Sequence, residues 1–102
     1  MEGQSLISPD ILASYAADAA REVSGVHGLV GSARQRHEGV KVTWDEGRVA
    51  VELRLVLDWA ADAPAVGAAV QSRVADYLVR MADVRPDKID VVVDAFAPPA
   101  AE

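Results

Sequence analysis

Apolar residues recur along this chain with two helical periods and several strand periods. After Ser8-Pro9-Asp10, the residues Ile11, Leu12, Tyr15, Ala16, Ala19, Ala20 and Val23 follow a spacing that keeps them on one helical face. Ser8 can cap this helix, Pro9 suits its first position and Asp10 complements the positive dipole end. The pattern predicts a helix to about Ser24, stopped by Gly25. Val26 to Val30 reads as a short strand, and Gly31 to Gly39 carries no periodic signal and reads as a loop. Val40, Val42 and Trp44 then alternate with Lys41 and Thr43, Asp45-Glu46-Gly47 turns the chain, and alternation resumes from Val49 to Trp59. Asp62-Ala63-Pro64 opens a second helix whose buried stripe is Val66, Val70, Val74, Tyr77, Leu78 and Met81, ending near Ala82. Ile89, Val91, Val93 and Ala95 alternate in a last strand. Leu6-Ile7 could add a short leading strand.

The order helix-strand-strand-strand-helix-strand specifies an α+β domain over residues 1–96, with 97–102 an extended or disordered tail. A right-handed crossover through the second helix makes the third and last strands parallel, while the hairpin is antiparallel. The sheet is therefore mixed, three- to four-stranded, with both helices on one face and the other face open. The expected core is Ile11, Tyr15, Val51, Leu53, Leu55, Val70, Val74, Leu78, Ile89, Val91 and Val93.

Two hairpin registers compete. A three-residue loop with Gly47 in the left-handed position places Trp44 opposite Arg48, so that Val42 and Trp44 join Arg54, Val56 and Val92 on the open face. If Arg48 also enters the loop, Trp44 lies beside Val49 and turns to the core. Gly47 favours the first arrangement, because turn geometry sets hairpin register. A partner surface of Val42, Trp44, Arg54, Val56 and Val92 follows. A second candidate surface lies on the outward sides of the helices, where Ala13, Ser14 and Ala17, and Ala65, Ala68, Ala69, Ser72 and Ala75, would permit close approach. Alanine is also simply a strong helix former.

Composition narrows the chemistry. Among 102 residues, 19 are Ala and 16 are Val, so core bulk comes mainly from Val, Leu and Ile. The absence of Cys excludes a disulfide scaffold, a thiolate metal site and a cysteine nucleophile. No apolar run approaches the ~20 residues of a membrane span. Met1 to Ser5 lacks the basic segment of a signal peptide, so a cytoplasmic chain is expected. Ten Lys and Arg against 16 Asp and Glu leave a net charge of −6, which opposes phosphate binding. The locally basic stretch around Arg34, Arg36 and His37 could touch an anionic surface. Two arginines fall short of the clusters of roughly four to eight used for lipid recognition.

Catalytic and metal sites find little support. His27 and His37 stand ten residues apart with no third ligand at a fixed spacing, so no metal or cofactor is expected. No serine sits in a strand-turn-helix elbow beside a base motif, and Asp58 and Asp62 flank a strand-to-helix connection where acidic residues aid helix starts. Gly25-Val26-His27-Gly28 has the G-x-x-G spacing with which KH domains clamp a nucleic-acid backbone. In KH domains that loop joins two helices and is usually basic. Here it joins a helix to a strand without Lys or Arg.

Across roughly residues 7 to 95 the chain resembles the alkaline shock protein family of bacterial envelope stress response proteins. The likeness rests on Ile7-Ser8-Pro9-Asp10-Ile11-Leu12 before an Ala-rich helix and on Glu22-Val23-Ser24-Gly25-Val26-His27-Gly28-Leu29. It continues in the strand ending Leu57-Asp58-Trp59, in Val66 through Val70-Gln71 and Met81, and in Ile89-Asp90-Val91-Val92-Val93. Ser24 stands where Pro is common, and Trp59-Ala60 replaces a usual Tyr-Gly. The resemblance implies a non-enzymatic cytoplasmic scaffold or adaptor, binding itself or a membrane-anchored protein, with no cofactor and no direct membrane insertion. The rival reading is a KH-like nucleic-acid-binding module using Gly25 to Gly28 and the basic 31–39 loop.

Overall fold

A computed structural model describes residues 8–30 and 39–99. The elements follow in the order α1 (Pro9–Arg21), β1 (Val26–Leu29), β2 (Val40–Asp45), β3 (Arg48–Leu57), α2 (Ala63–Ala82) and β4 (Lys88–Phe96). The fold is α+β, as the periodicities require. Ser8 Oγ accepts from the Ile11 amide at 3.2 Å to cap α1, and Asp62 Oδ1 accepts from the Ala65 amide at 3.3 Å to cap α2. Helix α1 ends at Arg21, with Glu22 as its C-cap, three residues before the expected stop. Gly25 lies beyond that end with φ +98°, and a Cβ there would come within 2.7 Å of Val66 Cγ2. Its hydrogen atom is therefore what lets the α1–β1 joint pack against α2.

Strand β3 is the spine of the sheet. One of its edges pairs in parallel with β4; the other pairs antiparallel with β2 along its first half and with β1 along its second. The Val30 amide donates to the Arg54 carbonyl at 3.1 Å and the Arg54 amide donates to the Gly39 carbonyl at 2.8 Å, so the gap between β1 and β2 is bridged. At the start of β4, the Asp87 amide donates to the Val49 carbonyl at 2.7 Å and the Asp87 carboxylate accepts from the Val49 amide at 2.8 Å. This reciprocal pair sets the β3–β4 register.

Val49, Val51, Leu53, Leu55 and Leu57 of β3 are buried beneath α1 and α2, together with Leu12, Val70, Val74 and Leu78. Tyr15, Ile89, Val91 and Val93 pack half-buried against them, and the Tyr15 ring meets the Tyr77 ring edge-on with centroids 6.1 Å apart. Ile11 departs from its expected place and is 47% exposed. The buried face of α1 is instead Leu12, Ala13, Ala16, Ala17, Ala19 and Ala20. Alanine lets this helix approach its neighbours closely, and the buried face keeps Leu12, Ala16, Ala19 and Ala20 but extends to Ala13 and Ala17 on the side away from Ile11, which is left outward in the first turn.

The hairpin register also departs from the favoured expectation. Asp45 pairs with Arg48 and Trp44 with Val49, leaving a two-residue loop of Glu46 (φ 52°) and Gly47 (φ 81°). Positive φ at both central residues is the type I′ turn, whose twist matches paired strands. Glu46 accepts the left-handed region that the three-residue alternative would have given to Gly47 alone. Because strand side chains alternate, this register turns Val42 and Trp44 to the helix side. Val42 packs against the core there, while Trp44, near the end of the ladder, stays 41% exposed.

Candidate interaction surface

The even-numbered side chains of β3 point away from the helices. Pairing brings Lys41 beside Glu52 and Thr43 beside Ala50 from β2, and Lys88, Asp90 and Val92 beside Ala50, Glu52 and Arg54 from β4. Between Val93 and Ala95 the register slips, since Leu55 pairs with Val93 but Val56 with Ala95. Asp94 is the extra residue of this bulge. From there its Oδ1 accepts from Arg54 Nη2 at 3.1 Å, and nearer the hairpin Lys88 Nζ lies 3.6 Å from Asp90 Oδ2. The face is a lattice of opposite charges around two small apolar residues, Val56, half-buried, and Val92, 37% exposed. A shallow depression of about 180 Å³ runs between Lys41, Glu52, Lys88 and Asp90.

The electrostatics of this face differ from those of the whole chain. Lys41, Arg54 and Lys88 balance Glu52, Asp90 and Asp94, so the net charge of −6 is carried elsewhere. The helix side has its own ion pairs. Arg73 Nη1 donates to Glu22 Oε1 at 2.7 Å beside a groove lined by Val23, Ala65, Val66 and Ala69.

Of the residues expected to meet a partner, Arg54, Val56 and Val92 do share the open face. Val42 and Trp44 do not, because the I′ turn reverses their side. Ala13 and Ala17 are 4% and 0% exposed, so α1 offers them to the interior and not to a partner. Ala68 is exposed on α2. Arg34 and Arg36 lie outside the described residues. Lys88, Asp90 and Asp94 were missed as members of the surface, although the strict alternation of the last strand already put them opposite Ile89, Val91 and Val93.

Gly25 lies in the joint between α1 and β1, and Val26 to Gly28 belong to β1 itself, so the stretch is not a loop between two helices. Gly25 there serves packing against Val66, with the Glu22–Arg73 pair beside it and Asp58 Oδ1 at 3.3 Å from His27 Nδ1. Among the described residues, no group of three or more His, Asp or Glu is placed to hold a metal ion. Among the same residues, no helix is long and apolar enough to cross a membrane.

Solved structures of similar fold include a MamM CTD variant in a manganese form, with a TM-score of 0.64 at 18% identity over 84% of this chain and 96% of that one. Another is a MamM CTD variant in a copper form, with a TM-score of 0.63 at 17% identity over 84% of this chain and 95% of that one. At such identity the likeness is one of fold. No curated protein matches the sequence. The sequence pattern of one family, described as having a cell envelope-related function, matches residues 1–97. With nearly the whole chain covered, and with the helix ends and alternating strands where that resemblance required them, this protein belongs to the alkaline shock protein 23 family.

Proposed function

We propose that the chain is a non-catalytic scaffold or adaptor that works through protein–protein contacts near the cytoplasmic side of the membrane. Its partners are copies of itself, a membrane-anchored protein, or both. The observation that carries this reading is the helix-free face of the sheet. A small apolar centre at Val56 and Val92 within a charged rim is the anatomy of a non-obligate interface. A face of this composition can also rest against water between encounters. The depression on it, about 180 Å³ and open, is smaller than the roughly 300–1,000 Å³ of pockets that enclose small molecules. Family membership supplies the envelope connection, and Arg34 with Arg36 is too small a basic cluster to hold a lipid surface alone. The link to the membrane therefore runs through a partner.

The test is a photo-crosslinking residue placed at Val92 in bacterial cells, followed by fractionation, with the same probe at exposed Asp76 on α2 as the comparison. Adducts from Val92 to a second copy or to a membrane-fraction protein are the expected result. Adducts from Asp76 with none from Val92 would move the contact to the helices and refute the assignment of this surface.

A further inference from the structure

The open face has an internal order that singles out its partner. Along β3 it reads Ala50, Glu52, Arg54, Val56, which is apolar, negative, positive, apolar. A two-fold contact requires each position to meet a complementary one on an identical surface. Consider an axis lying between two such faces, perpendicular to the strands and midway between Glu52 and Arg54. It brings Glu52 over Arg54 of the second copy, and Arg54 over Glu52 of the second copy. It also brings Ala50 over Val56. The same axis acts on β4, where Lys88 stands beside Ala50, Ala95 beside Val56, and the bulge residue Asp94 just before Ala95. Lys88 therefore falls over Ala95 of the second copy, with Asp94 of that copy adjacent to it, and the reverse. Asp90 exchanges with Val92, and Lys41 falls opposite Gly39, which has no side chain to oppose it. No like charges meet.

The other simple arrangement fails. An axis running along β3 lays Glu52 over Glu52 and Arg54 over Arg54, setting like charges against one another. We infer that a second copy of this chain docks face to face on the open sheet, strands antiparallel, through reciprocal Glu52–Arg54 and Lys88–Asp94 pairs around the Ala50–Val56 contacts. This rests on the reading of the sheet face as an interaction surface and names its occupant. The neutrality of the face supports it further. The surplus of −6 lies off this face, in the connecting segments and chain ends, and α1 and α2 together carry none of it.

Size sets the strength. Three strand columns at ~4.8 Å and ten residues at ~3.3 Å give a flat footprint of roughly 450 Å² per copy. Standard interfaces use about 800 Å² per partner. The dimer belongs to the weak, exchanging class at the low end of interface sizes.

Sedimentation equilibrium of the full chain, from about 5 µM to 1 mM, provides the test. Glu52→Arg alone and Arg54→Glu alone each set like charges face to face, and each weakens association about tenfold or more. The double swap, Glu52→Arg with Arg54→Glu, restores complementarity and brings association back to within about threefold of the parent. Ala68→Glu on α2 leaves it unchanged. Dilution of the unmodified chain followed by NMR gives a readout independent of substitution, with shifts concentrated at Ala50, Arg54, Val56 and Val92. A chain monomeric to 1 mM overturns the inference, as do single reversals without effect or a double swap that fails to rescue. A monomer that still crosslinks from Val92 to a membrane-fraction protein overturns the dimer and leaves the adaptor reading standing.

Discussion

Leu53→Ala separates the two faces of β3 by their energetics. Leu53 is completely buried, with Val40 and Val91 as its cross-strand neighbours and both helices above the face it points to. Strand β3 is held on both edges, so the surroundings have little freedom to collapse into the space left by the missing carbons. The cost should fall at about 3–4 kcal/mol, in the middle of the range for buried leucines. A domain of this size has a total stability of about 5–15 kcal/mol, so the loss is a large fraction. Urea denaturation followed by far-ultraviolet circular dichroism, at about 5 µM, should show the midpoint falling by roughly 2 M at a slope of about 1–3 kcal/mol/M. The next residue, Arg54, points to the opposite side and makes an exposed pair with Asp94. Arg54→Ala should cost no more than about 1 kcal/mol. If Leu53→Ala unfolded within about 0.5 kcal/mol of the parent, or if Arg54→Ala cost more than Leu53→Ala, the assignment of the two faces would be wrong.

Two further outcomes test the backbone. Gly25→Ala must accommodate a Cβ 2.7 Å from Val66 Cγ2 at φ +98°, and should lower stability by about 1–3 kcal/mol in the same denaturation assay. Ala60 holds φ +66° in the turn from β3 to α2, a left-handed conformation that costs an alanine and not a glycine. Ala60→Gly should therefore raise stability by about 0.5–1 kcal/mol, net of the extra freedom of the unfolded chain. A destabilised Ala60→Gly variant would refute the assignment of backbone strain to that turn.

Much of this protein was determined by its sequence alone, and the reason is periodicity. The alternation from Val49 to Leu57 can bury its residues in one way only, and the stripe from Val66 to Leu78 repeats at helical spacing over several turns. Ser8 and Asp62 stand where their side chains reach the free amides of a helix start, a contact that needs nothing beyond the local chain. The family was legible for the same reason, since its pieces are helix ends and alternating strands. Tertiary structure decided what local preference left nearly balanced. Asp45-Glu46-Gly47 admits two turns of similar merit. The I′ turn buries Val42 on the side of Val49 and Val51, and that non-local burial outweighs the cost of a left-handed Glu46. In α1 the alanines on neighbouring faces are alike in size and polarity, so contact with α2 and the sheet set which of them are buried, enclosing Ala13 and Ala17 and leaving Ile11 outward. The membership of the open face depended on these choices and on the bulge at Asp94. Its reciprocal charge order joins residues from β3 and β4, and only their pairing brings those residues side by side.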